Sequence, residues 1–147
     1  MADHNSLGFA FTGLKTVEFA IIEEAFRKSG PLSIQTSCSF GFNEVESTLI
    51  VEVEFNFYKK EIPFIKIKVQ GYFEIEKNTL KTFFFPEKKE FLLPKKLMVH
   101  LTVLTIGATR GILHAKTEGT VYNEFVLPTV NVDALINDDL VFSSQDM

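Results

Sequence analysis

Residues 93–120, LPKKLMVHLTVLTIGATRGILHAKTEGT, decide the fold of this chain. Pro94 stands where a helix can begin, since the first turn has no use for its missing N–H, and Gly119 stands where the helix would end. From Leu97 to Ile106, apolar residues occupy nearly every side of this predicted helix. A helix that is apolar all round is buried on both sides. One sheet from the same chain covers one side only, so the sequence predicts self-association.

Three segments before the helix alternate apolar and polar residues, as half-buried strands do. They are residues 32–42, 45–57 and 65–76. The short links between them predict two hairpins, and residues 9–22 supply a first strand with a break near Gly13. We therefore expect an α+β fold with a four-stranded antiparallel meander sheet, followed by a crossover loop, one long helix and a short C-terminal helix.

The remaining segments complete a single domain of residues 1–147. Residues 77–93 form a crossover loop, and a loop of this length is expected to have a function beyond connecting the sheet to the helix. After the long helix, residues 122–130 are extended and apolar, and a short helix over residues 132–141 is capped by Asn131 or Asp133. Residues 1–7 and 143–147 are expected to be loose ends.

Composition narrows the class of function. Hydrophobic residues make up 46% of the chain, and the aromatic residues are 16 Phe, 3 Tyr and no Trp, which suits packing or apolar contact. A net charge of -4 without a segregated basic patch argues against a nucleic-acid partner. The single cysteine, Cys38, lies on the apolar side of a strand.

Location is predicted from two further features. The N-terminal sequence has no secretory signal, so we expect a cytoplasmic protein. The uncharged run of residues 97–109 is too short to cross a bilayer, which needs about 20 residues. We expect no membrane insertion.

Catalytic patterns are weak. Glu52 and Glu54 lie two apart on one strand face, which is typical of a solvated sheet surface. His100 and His114 would stand about 21 Å apart on the helix, too far to share a metal. His114 and Glu118 supply two ligands where a site needs three. The sequence predicts no enzyme, no metal and no cofactor.

Small residues recur every four positions on the long helix, at Gly107, Gly111 and Ala115. Such a stripe allows another backbone to approach closely, either inside one monomer or in a symmetric partner. The apolar surface elsewhere on the helix favours an oligomer interface, with Leu97, Leu101, Leu104 and Ala108 on a stripe toward the sheet. The predicted interface residues are Leu97, Leu101, Leu104, Gly107, Gly111 and Ala115.

Two segments resemble the SecB family of protein-export chaperones. Residues 109–112, TRGI, resemble the end of the family's first helix, and residues 125–135, FVLPTVNVDAL, resemble the loop into its second helix. Arg110, if buried, needs a carboxylate or carbonyl partner. The order of four strands, crossover loop and long helix is similar over nearly the whole chain.

The resemblance implies an ATP-independent chaperone that binds unfolded or precursor polypeptides in hydrophobic grooves and works as a homotetramer, a dimer of dimers. It implies a cytoplasmic role in protein export, in which SecA receives the precursors for translocation. The client-binding positions that it implies are Phe83, Phe84, Phe85, Phe91, Leu92, Phe125 and Leu127. For Phe91 and Leu92, filling the core is an equally good interpretation.

Docking of SecA would fall on Glu46, Glu52 and Glu54 of the acidic sheet face. Lys66 and Lys68 interrupt this face, and the tail lacks the family's longer polar extension. These departures leave room for a SecB-like chaperone with a dedicated client, such as the antitoxin of a toxin–antitoxin system.

A different class of function also stays open. In that alternative, a curved sheet folds around the helix and encloses a small apolar ligand in a Phe-lined pocket. Four strands close poorly around a cavity.

Overall fold

The computed structural model describes residues 8–144 of the chain. Its largest feature is an antiparallel sheet, which together with the helices confirms the α+β class. The strands are β1 (Phe9–Ile21), β2 (Ser33–Asn43), β3 (Thr48–Tyr58) and β4 (Pro63–Ile75). On β3, side chains alternate between fully buried, such as Val53, and half-buried, such as Glu54. The alternation that predicted the strands therefore also identifies the face that packs on the core.

The strands lie in the order β1-β4-β3-β2, so the expected meander order is wrong. Hairpins join β2, β3 and β4, but β1 pairs with β4, from Phe9 opposite Ile75 to Ile21 opposite Ile65. Residues 22–32 cross the end of the sheet to reach β2, a distance of about three strand spacings of 4.8 Å. The result is a Greek-key order.

The predicted break near Gly13 is confirmed. The pairing of β1 with β4 shifts register between Phe11 and Gly13, and again between Thr16 and Glu18. Bulges of this kind are common on edge strands.

A second, smaller sheet was not predicted. The crossover segment contains α1 (Lys77–Lys81) and strands β5 (Phe84–Phe85) and β6 (Glu90–Leu93). Strand β7 (Leu140–Ser143) pairs with β6, which gives the order β5-β6-β7.

The C-terminal predictions need correction. The expected helix over residues 132–141 is only α3 (Val132–Leu135), because β7 takes residues 140–143 into the small sheet. Asn131 precedes α3 but makes no side-chain cap bond. Of the expected loose ends, Ser143 belongs to β7, and the buried Ser144 hydroxyl donates to the Glu44 carboxylate at 3.0 Å. Residues 1–7 and 145–147 lie outside the described residues.

The long helix is confirmed as α2 (Lys95–Thr117), which lies across β3 and β4. The backbone N–H of Lys95 donates to Asp139 Oδ1 at 2.8 Å, so a side chain of the C-terminal segment caps the helix. Gly119 follows the end of α2 with φ of 84°, a left-handed conformation that favours glycine.

The sheet-facing side of α2 differs from the expected leucine stripe. Only Leu101 of that stripe is buried, while Leu97, Leu104 and Ala108 are half-buried on the flank of the helix. The buried residues are Met98, Leu101, Thr102, Thr105, Ile106, Thr109, Leu113 and Thr117.

Threonine can face the core because each buried hydroxyl finds a partner within the helix. Thr105 Oγ1 donates to the Leu101 carbonyl at 2.9 Å, and Thr109 Oγ1 donates to the Thr105 carbonyl at 2.8 Å. A buried hydroxyl with a partner avoids the penalty of an unsatisfied polar group. The methyl groups are then free to pack on the sheet.

By length and composition, α2 could cross a membrane, with a mean hydropathy of 1.2 over its most apolar window. The length argument from residues 97–109 was therefore wrong, because the helix has 23 residues. One side of the helix packs on the sheet, and 39% of that window is buried. The absence of membrane insertion stays a prediction.

The closest approach of α2 to the sheet yields a test at Gly71 on β4. A Cβ at this position would lie 2.7 Å from Thr105 Oγ1 and 3.2 Å from Phe73 Cε1. We expect Gly71→Ala to lower the free energy of unfolding by about 1–3 kcal/mol, because overpacking forces the helix away from the sheet. Urea denaturation measures the change.

Gly41→Ala is the matched control on edge strand β2, where the added Cβ would meet Ile50 at an ordinary 3.7 Å. Its unfolding free energy should stay within about 0.5 kcal/mol of the parent value. Equal losses in the two variants would contradict the close contact at Gly71.

Candidate functional site

The seven predicted client-binding residues divide by burial. Phe91, Phe125 and Leu127 are buried inside the chain. Phe83, Phe84 and Leu92 are half-buried, and Phe85 is 45% exposed. Only these last four present surface to a ligand in the structure, so the client-binding prediction rests on the crossover segment.

Phe91 on β6 is a core residue of the small sheet. Its ring centroid lies 5.1 Å from that of Phe42 on β2 and 4.8 Å from that of Phe84 on β5. Phe142 on β7 also packs on Phe42, at 5.5 Å. The antiparallel pair of β5 and β6 is called the crossover hairpin below. These contacts attach it to one end of the large sheet.

Phe125 lies in a second aromatic cluster, at the other end of α2. Its ring centroid is 5.0 Å from that of Phe64 and 6.0 Å from that of Phe26. Tyr122 joins the cluster, and the pKa of its phenol is raised, first by burial and then by the carboxylates of Glu23 and Glu24. Phe125 therefore contributes to stability here and is remote from the crossover hairpin.

The neighbouring residues Phe83 and Phe84 border two different hollows on the surface. The Phe83 pocket, of about 430 Å³, is lined by Phe83, Pro94, Lys96, Leu97 and His100. The Phe84 pocket, of about 440 Å³, is lined by Glu44, Ser47, Lys77, Leu80, Lys81, Phe84, Phe91 and Ser144. Phe83 ends the turn that follows α1, whereas Phe84 begins β5, and their side chains line different pockets.

The Phe83 pocket is apolar with a cationic rim. Phe83, Pro94 and Leu97 supply its apolar lining, and no acidic residue lines it. His100 stands beside the pocket with its ring edge-on to Phe9, at a centroid distance of 5.6 Å. The arrangement suits an apolar group that is attached to an anion.

Arg110 connects the two segments that resemble the SecB family. It is half-buried, and its guanidinium donates to the Pro128 carbonyl at 3.2 Å. The expected carbonyl partner is therefore confirmed. The same contact places Leu127 and Val130 beside Ile106 of α2, around a hollow of about 340 Å³.

None of the described residues 8–144 covers the outer face of α2. Apart from its chain neighbours and the nearby backbone of the helix itself, a Cβ on Gly107 or Gly111 would have no atom within 4 Å, while Ala115 is exposed and Val103 is 48% exposed. The alternative in which the small-residue stripe packs against another part of the same monomer is therefore wrong for Gly107 and Gly111. Leu101, also predicted at the interface, is fully buried against the sheet.

Sequence reasoning missed a second apolar surface, on edge strand β1. Phe11, Leu14 and Val17 are between 40% and 47% exposed. The bulges at Thr12 and Val17 disturb the alternation of this strand, so its pattern did not show which residues would remain exposed.

The polar face of the sheet carries the residues predicted for SecA docking. Gln70 donates to the Glu52 carboxylate at 2.8 Å, and Glu54 pairs with Lys68 at 3.9 Å. Glu46 is exposed in the turn between β2 and β3. Two of the three carboxylates therefore already have partners on the sheet.

Residues with catalytic potential are dispersed. Cys38 is half-buried on β2, and burial raises the pKa of its thiol, which disfavours the reactive thiolate. His114 Nε2 lies 3.8 Å from the Glu118 carboxylate. Within residues 8–144, no three His, Cys, Asp or Glu side chains are grouped so that they could hold a metal ion.

No protein-family model matches the sequence, and no curated protein is similar to it in sequence. Among solved structures, the chain is similar to the Rv1957 SecB-like chaperone of Mycobacterium tuberculosis, which was solved in complex with a ChAD peptide from the Rv1956 HigA1 antitoxin. The TM-score is 0.47 at 7% sequence identity, and the match covers 84% of this chain and 96% of that one. A likeness this distant carries no argument about function, which therefore rests on the residues of this chain.

Proposed function

We propose that the protein is an ATP-independent chaperone that holds non-native polypeptides and works as a homo-oligomer, without catalysis or a cofactor. The observation that carries the proposal is apolar surface left uncovered on ordered elements. It lies on β1, on the outer face of α2 and on the crossover hairpin, where Phe85 is 45% exposed. Uncovered apolar surface of this kind is typical of sites that bind protein.

Two of these surfaces suit self-association. Strand β1 is a sheet edge, so its outer backbone groups can pair with another strand, beside Phe11, Leu14 and Val17. The outer face of α2, with Gly107 and Gly111, allows a second helix to approach closely. Two separate self-complementary surfaces are what a dimer of dimers requires, and a tetramer is therefore the proposed assembly.

The third surface suits a client. The crossover hairpin presents the half-buried Phe83 and Phe84 and the exposed Phe85 beside two open pockets. Apolar contact combined with backbone pairing accepts many sequences, as a holding chaperone needs. We place this activity in the cytoplasm, where precursors would be held before export.

Delivery to SecA is the less supported branch of the proposal. Glu52 and Glu54 already bond to Gln70 and Lys68, which leaves less free negative charge for a docking partner. In the other version of the proposal, the chaperone serves one dedicated client, such as an antitoxin, and needs no docking face for SecA.

The alternative of a small-ligand carrier has less support. Phe55, Phe57 and Phe64 are fully buried and fill the layer between the sheet and its covering segments. The pockets described here lie at the periphery and open to solvent. A monomer that binds one apolar ligand per chain would favour this alternative.

The assembly can be tested by light scattering of the purified chain, which should give the mass of a tetramer. We expect Leu14→Lys to lower the mass to that of a smaller species, because a charge would have to be buried on the β1 surface. Ser37→Lys places the same side chain on the opposite edge strand and should leave the mass unchanged. A monomeric parent chain would contradict the proposal.

The holding activity can be tested by light scattering of a chemically unfolded protein as it aggregates. The chain should suppress aggregation equally with and without ATP. We expect Phe85→Ser to raise the concentration needed for half-suppression by about fivefold, since covering the exposed part of a Phe contributes about 1 kcal/mol.

Ile62→Ser is the matched control for this assay, because Ile62 is 61% exposed in the β3–β4 turn, at the end of the sheet away from the proposed client surface. Its half-suppression concentration should equal that of the parent chain. Failure of the parent chain to suppress aggregation would rule the proposed function out.

A further inference from the structure

Lysine is concentrated around the crossover segment. Residues 77–96 hold six lysines and two glutamates, in a chain whose net charge is -4. The lysines are Lys77, Lys81, Lys88, Lys89, Lys95 and Lys96. The overall acidity of the chain conceals this local basic surface.

Most of these ammonium groups have no internal partner. Lys95 lies 3.7 Å from the Asp133 carboxylate. Across the described part of the chain, the other five have no carboxylate within 4 Å. Two lysines of the sheet differ, since Lys66 pairs with Glu18 and Lys68 pairs with Glu54. Positive charge on the crossover segment is therefore available to a ligand.

Three of the five available lysines border the apolar pockets. Lys96 lines the Phe83 pocket together with Leu97 and His100, and no carboxylate shares that lining. Lys77 and Lys81 line the Phe84 pocket. That pocket also contains Glu44, whose carboxylate accepts a hydrogen bond from Ser144. The Phe83 pocket thus combines an apolar floor with the Lys96 ammonium and is the simpler of the two.

We infer that the polypeptides held by this protein are acidic, with the Phe83 pocket taking an apolar side chain that is flanked by Asp or Glu. This inference rests on the proposed function and specifies its substrate class. The apolar side chain contacts Phe83 and Leu97, while the neighbouring carboxylate pairs with Lys96. Electrostatic complementarity of this kind selects among clients that are equally apolar.

A polypeptide fits this surface better than a membrane or a nucleic acid does. Glu87 and Glu90 lie among the lysines, and the chain as a whole is acidic. An extended polyanionic surface would meet this negative charge as well as the lysines. A peptide can place single carboxylates beside single apolar groups.

The test compares two disordered peptides that carry the same dye and the same apolar residues, one with Glu flanks and one with Lys flanks. Fluorescence anisotropy measures their binding to the full chain. We expect the Glu peptide to bind about tenfold more tightly at low salt, since each exposed ion pair contributes a factor of roughly two to five. The difference should shrink at high salt, which screens exposed charges.

Lys96→Glu should abolish the preference for the Glu peptide. The substitution is compatible with the fold, since a carboxylate in the first turn of α2 is favourable. Lys28→Glu is the matched control, because it makes the same change of net charge at an exposed lysine between β1 and β2. It should keep the preference.

Equal binding of the two peptides, or tighter binding of the Lys peptide, would overturn the inference. If the chain still suppressed aggregation, the proposed function would stand without it. A preference for the Glu peptide without suppression of aggregation would instead refute the proposed function. Tighter binding to anionic phospholipid vesicles than to the Glu peptide would overturn the choice of a polypeptide occupant.

Discussion

The contact between the threonine face of α2 and Gly71 on β4 is the constraint on which the rest of the structure depends. Thr105 satisfies its own hydroxyl on the Leu101 carbonyl, so a polar residue can lie against the sheet without a partner there. Gly71 leaves the space that this approach needs. Because α2 lies low over β3 and β4, its opposite side and the edge strand β1 stay uncovered, and the assembly surfaces follow from this placement.

The sequence predicted the long strands and the long helix, but not the small sheet or which long strands are adjacent. Alternation along β2, β3 and β4 predicted three strands, and the apolar run after Pro94 predicted α2. Alternation specifies the face of a strand and carries no information about the adjacent strand, so the pairing of β1 with β4 was missed. Strand β7 was missed for a related reason, since four residues in a polar context become a strand only when β6 supplies a partner.

The buried threonine face of α2 and the basic surface of the crossover segment were not predicted from the sequence. Because threonine is a polar residue, the buried face of α2 was not recognised, and the sheet contact was predicted on the leucine side of the helix instead. The net charge of the whole chain is negative and therefore does not show the lysines of the crossover segment. Their local surplus is visible in the sequence once residues 77–96 are counted apart from the rest. The burial of Phe91 and Phe125 needed the structure, since both lie in segments without a clear period.

The pairing of β6 with β7 has a consequence for how the chain can open. Leu93 lies opposite Leu140, so this hydrogen-bonded ladder closes the intervening chain, with the whole of α2, into a loop. Asp139 accepts the Lys95 N–H at the same closure point. While this loop is closed, the N-terminal end of α2 and the C-terminal segment cannot separate, because β7 and Asp139 hold that segment against the residues that begin the helix. Release of the crossover hairpin and release of the C-terminal segment are therefore one cooperative event.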